Sequence, residues 1–138
     1  PPRRLDLRAV ALASDAGPPV VATIATIEPP APVTAAAWRI AQEAVTNARR
    51  HAAGATAIVV DVAPRGESLV VSVSDDGTGR PPSGDTGFGL AGMRERAELL
   101  GGACHAGPVA GGGWRGVAEL PITLRTDGAA TRSRRQVP

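Results

Sequence analysis

Hydrophobic and polar residues follow a different period in successive segments of this chain of 138 residues. Residues 20–27 place Val, Ile and Thr in near alternation, which predicts a strand, and a proline-rich stretch at residues 29–32 closes it. The next segment predicts a helix from an N-cap at Thr34 to about Ala53. Gly54 ends this helix, because glycine often terminates helices.

The second half of the chain predicts two hairpins and a second helix. Residues 57–63 and 68–74 are short β-rich runs that predict an antiparallel hairpin. A helix is predicted at residues 90–100, and residues 103–106 and 115–120 form the last hairpin around a glycine-rich turn. This order of strand, helix, two strands, helix and two strands predicts an α+β sandwich with its helices on one sheet face.

Composition along the chain divides it into one domain and two flanking segments. We expect a linker at residues 1–19, a single domain at residues 20–124 and a disordered, arginine-rich tail at residues 125–138. The chain begins at Pro1 without a methionine, which predicts a piece of a longer protein.

Charge and composition exclude several classes of function. All 15 positive side chains are arginine, which excludes a Walker-type P-loop because that loop needs a lysine. The net charge of +2 and the aromatic content of 2% predict no nucleic-acid partner. No apolar run approaches the roughly 20 residues that cross a bilayer, so we expect no membrane contact by this segment. The single cysteine, Cys104, precludes an internal disulfide and fits a reducing cytoplasm.

Candidate chemistry is concentrated on the first predicted helix, at residues 38–51. Glu43, Asn47 and Arg50 or His51 lie one or two turns apart and share a face with apolar residues. We expect this face to point inward, where such groups are costly to bury without a polar ligand. A phosphate–metal complex is the predicted ligand, and an ordinary solvated helix face is the alternative.

Two glycine motifs follow the helix. Residues 71–79 predict a period-2 strand that ends in an Asp-x-Gly-x-Gly turn, and residues 87–102 predict a glycine-rich loop that opens into a helix. Between them, residues 80–86 predict a short mobile lid. Arg94, Glu95, Arg96 and Glu98 predict a solvated face of the second helix, with an interdomain contact as the alternative.

Two further pairs of residues suggest chemistry less specifically. Cys104 and His105 are adjacent, but two ligands do not make a metal site. Asp75 and Asp76 are adjacent carboxylates, but neighbouring residues of a strand point to opposite faces, which argues against an acid/base pair.

The helix motif and the two glycine motifs, taken together, resemble the N, G1 and G2 boxes of the ATP-binding catalytic domain of sensor histidine kinases. The runs Glu-Ala-Val-Thr-Asn-Ala-Arg-Arg-His-Ala and Gly-x-Gly-Leu-x-x-Met-x-Glu-Arg are particularly similar to the nitrate-sensor-like subclass. The resemblance covers residues 20–123 and implies the Bergerat nucleotide fold of the superfamily that includes DNA gyrase. This fold is a two-layer α/β sandwich with a mixed, mostly antiparallel sheet and helices on one face.

The resemblance implies a role for each polar position. Asn47 corresponds to the asparagine that binds the Mg²⁺ bridging the ATP phosphates, and Glu43 to a group that positions metal-bound water or assists proton transfer. Arg50 and His51 match the basic end of the N box and would face the phosphates. Asp75 corresponds to the aspartate that accepts a hydrogen bond from the adenine amino group.

The resemblance also implies positions where backbone or apolar groups approach ATP. Glycine lets the chain come close to a ligand, and a helix N-terminus binds phosphate. These positions are Gly77 and Gly79 at the adenine base, Gly87, Gly89 and the amide of Leu90 at the phosphates, and Met93 near the nucleotide or under the lid.

The implied function is transfer of the ATP γ-phosphoryl group to a histidine on a dimerisation domain of the same parent protein, for relay to a response regulator. An anti-sigma-factor-type protein-serine kinase and a non-catalytic nucleotide-binding regulatory module are the alternatives. The implied cofactors are ATP and Mg²⁺. The implied location is the cytoplasm, and an anchor of the parent protein in the inner membrane is compatible with it.

Two features depart from the family pattern. Trp114 occupies a position in the last hairpin where small or polar residues such as Thr are usual. Nothing before residue 20 resembles a helix that carries a phosphoacceptor histidine, and neither His51 nor His105 has such a context.

Overall fold

The computed structural model describes residues 17–51, 54–78 and 90–122, apart from the side chain of His51. The described elements comprise two helices and five strands. In chain order they are β1 (Val20–Ile24), α1 (Ala31–His51), β2 (Ile58–Arg65), β3 (Ser68–Asp75), α2 (Leu90–Leu99), β4 (Ala103–Pro108) and β5 (Trp114–Pro121). The predicted lid and tail, and most of the predicted linker, lie outside the described residues.

The five strands form one sheet in the order β1-β2-β3-β5-β4. Strands β1 and β2 are parallel, and every other neighbouring pair in the sheet is antiparallel. Helix α1 contacts β3 and β5, and α2 contacts β4 and α1. The predicted class, an α+β sandwich with a mixed, mostly antiparallel sheet and helices on one face, is confirmed.

Alternation along the strands determines which sheet face meets the helices. Val60, Val73 and Gly116 share one row of the sheet, and Val62, Val71 and Ala118 share the next. The named valines and Ala118 are buried, whereas the intervening Val59 and Asp61 are exposed. Since strand side chains alternate between faces, both of these rows lie on the sheet face that α1 and α2 cover.

Helix α1 begins at Ala31, three residues before the predicted N-cap. The Pro30 carbonyl accepts hydrogen bonds from the backbone N–H groups of Val33 and Thr34. Thr34 is therefore inside the first turn, and its hydroxyl donates to the Pro29 carbonyl at 3.4 Å. The N-cap prediction was wrong because Pro32 is tolerated in a first helical turn, where its missing N–H has no intrahelical partner.

Helix α2 ends as the glycine pair predicts. Gly101 has a φ of 85°, and its N–H donates to the Glu98 carbonyl, while the N–H of Gly102 donates to the Ala97 carbonyl. This double hydrogen bond is the Schellman motif, which satisfies carbonyl groups that the helix end leaves unpaired. The motif turns the chain directly into β4.

An exposed aspartate links the segment that follows β3 to the segment that precedes β2, at one end of the sheet. Asp76 follows β3, and its carboxylate accepts hydrogen bonds from the backbone N–H of Thr56 at 2.8 Å and of Ala57 at 3.4 Å. The Thr56 hydroxyl also donates to this carboxylate. These bonds, the hydroxyl bond foremost, lower the pKa of Asp76 below its usual value of 3.8.

Neither helix in the described part of the chain combines the length and the apolar composition needed to cross a membrane.

We predict that Gly102→Ala destabilises the protein. A methyl group at this position would overlap the backbone carbonyl oxygen of Glu119 in β5, and a backbone atom cannot move away as a flexible side chain can. The free energy of unfolding in urea should fall by about 1–3 kcal/mol, the usual cost of overpacking. Gly107→Ala in β4 is the matched control, since its methyl would meet no atom within 4 Å. Equal stability of the two variants would contradict the prediction.

We predict that Thr56→Val raises the pKa of Asp76 toward 3.8, because the substitution removes the hydroxyl donor that lowers this pKa most. The favourable interaction belongs to the ionised carboxylate, so its contribution is lost as pH falls through the lowered pKa. NMR titration of the carboxyl carbon measures the shift. Thr23→Val, at an exposed position of β1, should leave the titration unchanged. An unchanged pKa in Thr56→Val would refute the assigned cause.

Candidate functional site

A cleft lies between the two helices and the buried face of the sheet. Five elements contribute to its lining, with Asn47 from α1, Asp75 from β3, Met93 from α2, Cys104 from β4 and Trp114 from β5. The polar side chains of Asn47 and Asp75 therefore line the same, largely apolar cleft. They are 28 residues apart in the chain, and the packing of α1 across β3 brings them to the same cavity.

The floor of the cleft is open because the sheet carries a glycine there. Gly116 of β5 lies between Val73 of β3 and Ala106 of β4, and all three residues line the cleft. A methyl at Gly116 would come no closer than 3.9 Å to its neighbours, so the absent side chain leaves space. The floor of the cleft between Val73 and Ala106 therefore carries no side chain.

Asp75 is the acidic group of this cleft. It is the last residue of β3, is 8% exposed, and its Oδ1 accepts a hydrogen bond from the backbone N–H of Gly77 at 2.9 Å. This local turn satisfies part of the carboxylate and directs it along the cleft, since an aspartate readily bonds the backbone two residues on. Asp76 is exposed, which agrees with the expectation that the two carboxylates point to opposite faces.

Trp114 stands directly beside Asp75. The two residues are register partners across β3 and β5, and the indole is 8% exposed and lines the cleft. Tryptophan combines a large apolar surface with one N–H donor. The departure from the family pattern therefore lies at the acidic end of the cleft rather than on the surface.

The polar residues of α1 are distributed over two surfaces. Asn47 is half-buried and lines both the cleft and an open groove along the outer side of α1, which also contains Trp38, Gln42 and Glu43. Glu43 lines only the groove. Arg50 is exposed, and the side chain of His51, the alternative that the sequence leaves open for this face, lies outside the described residues.

Glu43 forms an ion pair that spacing along the chain does not indicate. Arg96 of α2 donates from Nη1 to Oε1 of Glu43 at 2.9 Å. The prediction of a solvated face was wrong for Arg96, although Glu95 and Glu98 are exposed. The two paired side chains are 29% and 33% exposed, so the pair stabilises the fold by no more than about 1 kcal/mol. Its importance lies in its place beside Asn47.

The glycine motifs are described only in part. Gly77 is buried at the end of β3, and Leu90 and Met93 are buried and line the cleft from the first turns of α2. Helix α2 thus begins at the cleft. Gly79, Gly87, Gly89 and the side chain of His51 lie outside the described residues.

Cys104 and His105 do not form a metal pair. Cys104 is buried in the cleft, whereas His105 is exposed on the opposite sheet face, and burial raises the pKa of the Cys104 thiol. Among residues 17–51, 54–78 and 90–122, no three or more His, Cys, Asp and Glu side chains are grouped to hold a metal ion.

Comparison with known structures supports the fold. The blue-light activated histidine kinase EL346 of Erythrobacter litoralis superimposes with a TM-score of 0.75 at 21% sequence identity, over 88% of this chain and 42% of that one. A histidine kinase domain of the same protein superimposes with a TM-score of 0.66 over 84% of this chain. At this identity the likeness concerns the fold alone.

Comparison with known sequences finds sensor histidine kinases at higher identity. The sensor histidine kinase YxjM of Bacillus subtilis is 40% identical over 95 residues, which are 67% of this chain and 22% of that protein. The signal transduction histidine-protein kinase/phosphatase UhpB of Salmonella typhimurium is 44% identical over 66 residues, 47% of this chain and 13% of that protein. The chain therefore spans less than a quarter of either relative.

The family described as histidine kinase-, DNA gyrase B- and HSP90-like ATPase matches residues 34–124, which contain most of α1, the cleft and both hairpins. The resemblance to histidine kinases inferred from the motifs is confirmed, while the nitrate-sensor-like subclass stays a prediction. This chain belongs to the histidine kinase-, DNA gyrase B- and HSP90-like ATPase family.

Proposed function

We propose that residues 20–124 form the ATP-binding catalytic domain of a sensor histidine kinase. The domain delivers the γ-phosphoryl group of ATP to a histidine on a dimerisation domain of the same parent protein, for relay to a response regulator in the cytoplasm. The observation that carries the proposal is the shared cleft of Asn47 and Asp75, since a purine and a phosphate chain need an acidic and a metal-binding end in one cavity.

The acidic end of the cleft receives the adenine. The Asp75 carboxylate accepts a hydrogen bond from the adenine amino group, and the N–H of Gly77 holds that carboxylate in place. Guanine presents an acceptor at the equivalent edge, so Asp75 discriminates against GTP. The space that Gly116 leaves accommodates the purine ring, and Met93 packs against the nucleotide from α2.

The other end of the cleft holds the phosphates. The N-terminus of α2 at Leu90 offers backbone N–H groups and a favourable dipole to the phosphate chain. Gly87 and Gly89 precede it and supply further N–H donors. Gly79 lets the chain turn closely past the base, and Arg50 and His51 contribute positive charge from the end of α1.

Asn47 suits Mg²⁺ because it offers a neutral oxygen at the junction of the cleft and the groove. Mg²⁺ usually keeps several waters and is bound through few protein oxygens together with substrate phosphates, rather than by a dedicated cage of protein ligands. A Mg²⁺ ion held by Asn47 and the ATP phosphates would supply positive charge that neutralises the charge developing on the phosphoryl group during transfer. Glu43, one turn before Asn47, positions a water of this ion or assists proton transfer.

We predict that Asp75→Asn weakens ATP binding by about 10–100-fold, since a hydrogen bond to a charged group contributes about 1.5–3 kcal/mol. Titration with a fluorescent ATP analogue in the presence of Mg²⁺ measures the affinity, and competition with GTP measures the selectivity. Asp61→Asn, on the exposed sheet face, is the matched control and should bind as the unchanged chain does. Unaltered affinity in Asp75→Asn would remove the adenine contact from the proposal.

We predict that Asn47→Asp reduces phosphotransfer in the full parent protein by at least about tenfold, because even changes around a metal ligand cost 10–100-fold. The readout is radiolabelled phosphoryl incorporation from ATP. An acid-labile product identifies phosphohistidine, whereas an acid-stable product indicates a serine kinase. Full activity of Asn47→Asp would contradict the metal role.

A further inference from the structure

The ion pair between α1 and α2 lies where the proposed phosphate end of the cleft meets the groove. Nη1 of Arg96 is 2.9 Å from Oε1 of Glu43. Asn47 follows Glu43 by one helical turn and lines both the cleft and the groove, and Met93 precedes Arg96 by three residues and lines the cleft. The pair is therefore adjacent to the site without being part of its apolar lining.

Gly92 makes room for this pair. A methyl group at Gly92 would lie 3.2 Å from Nη1 of Arg96 and 3.9 Å from Oε1 of Glu43. Helical side chains point back toward the N-terminus, so the guanidinium of Arg96 passes over Gly92 and reaches the first turn of α2. This end of α2 is the one that we assign to the phosphates.

A bare carboxylate at this position would repel a triphosphate. ATP carries several negative charges, and a like charge within a few ångströms at partial burial opposes their approach. Glu43 is one-third exposed, so solvent screens its charge only in part. The Arg96 guanidinium cancels this charge and fixes the orientation of the carboxylate.

We propose that Arg96 is a positioning residue of the nucleotide site, which neutralises and orients Glu43 so that the phosphate chain binds beside Asn47. This inference rests on the proposed ATP-binding function. It assigns Arg96 an effect on nucleotide affinity. This effect grows with the number of phosphates and exists only while residue 43 is negatively charged.

The test compares the affinities of ATP, ADP and adenosine for four proteins, namely the unchanged chain, Arg96→Gln, Glu43→Gln and the double variant. We expect Arg96→Gln to bind ATP about tenfold more weakly, equivalent to one unpaired like charge nearby. ADP should lose less affinity and adenosine none. In the double variant, ATP affinity should return to that of Glu43→Gln, because no unpaired carboxylate is left.

Two further variants separate this role from a structural one. Arg65→Gln removes the same charge from an exposed position at the opposite end of the sheet from Asp75, and we expect unchanged ATP affinity. Arg96→Ala removes the same charge with the residue most favourable to a helix, so it tests the same role even if Arg96→Gln does not fold. We expect it to weaken ATP binding more than adenosine binding, and we expect Glu43→Gln to restore the ATP affinity.

Three results would overturn the inference. The first is unaltered ATP affinity in Arg96→Gln or, if that variant does not fold, in Arg96→Ala. The second is an equal loss for ATP and adenosine, which indicates a purely structural effect. The third is a loss that Glu43→Gln does not rescue, which indicates direct contact between Arg96 and the phosphates. Failure of the unchanged chain to bind ATP would instead reject the proposed function itself.

Discussion

Packing of α1 across β3 and β5 is the contact on which the cleft depends. The apolar stripe of α1 covers the buried sheet face, and Val33, Ala37, Ile40 and Ala41 are nearly inaccessible. Asn47 lies farther along the same helix and lines the cleft, where Gly116 leaves the sheet uncovered. The hydrophobic effect thus positions a polar side chain that it does not itself favour burying.

Polar groups near the cleft bond partners at very different separations along the chain. Asp75 is held by the N–H of Gly77, and Asp76 bonds the opposite chain segment through Thr56. Glu43 instead depends on Arg96, which is 53 residues away in the chain. Rigid local bonds suit a group that recognises one edge of a base, whereas a partly exposed ion pair responds to the charge of a ligand.

The sequence predicted the fold well where local chemistry determines it. The two hairpins follow from alternating apolar residues, and the turn at Gly66 adopts a φ of 61° that glycine favours. The end of α2 at Gly101 was predicted for the same reason. The start of α1 was not, since Thr34 and the preceding prolines are both compatible with a helix terminus. Backbone hydrogen bonds to Pro30 decide between them.

The sequence by itself determined the family, the order of elements and the candidate roles of Asn47 and Asp75, because these depend on residue type and spacing within continuous motifs. Tertiary structure alone decided that Trp114 stands beside Asp75, that Asp76 bonds Thr56, and that Arg96 pairs with Glu43. Each of these depends on how two elements pack against each other. Periodicity along one element defines its apolar face but contains no information about which side chain of another element lies opposite it.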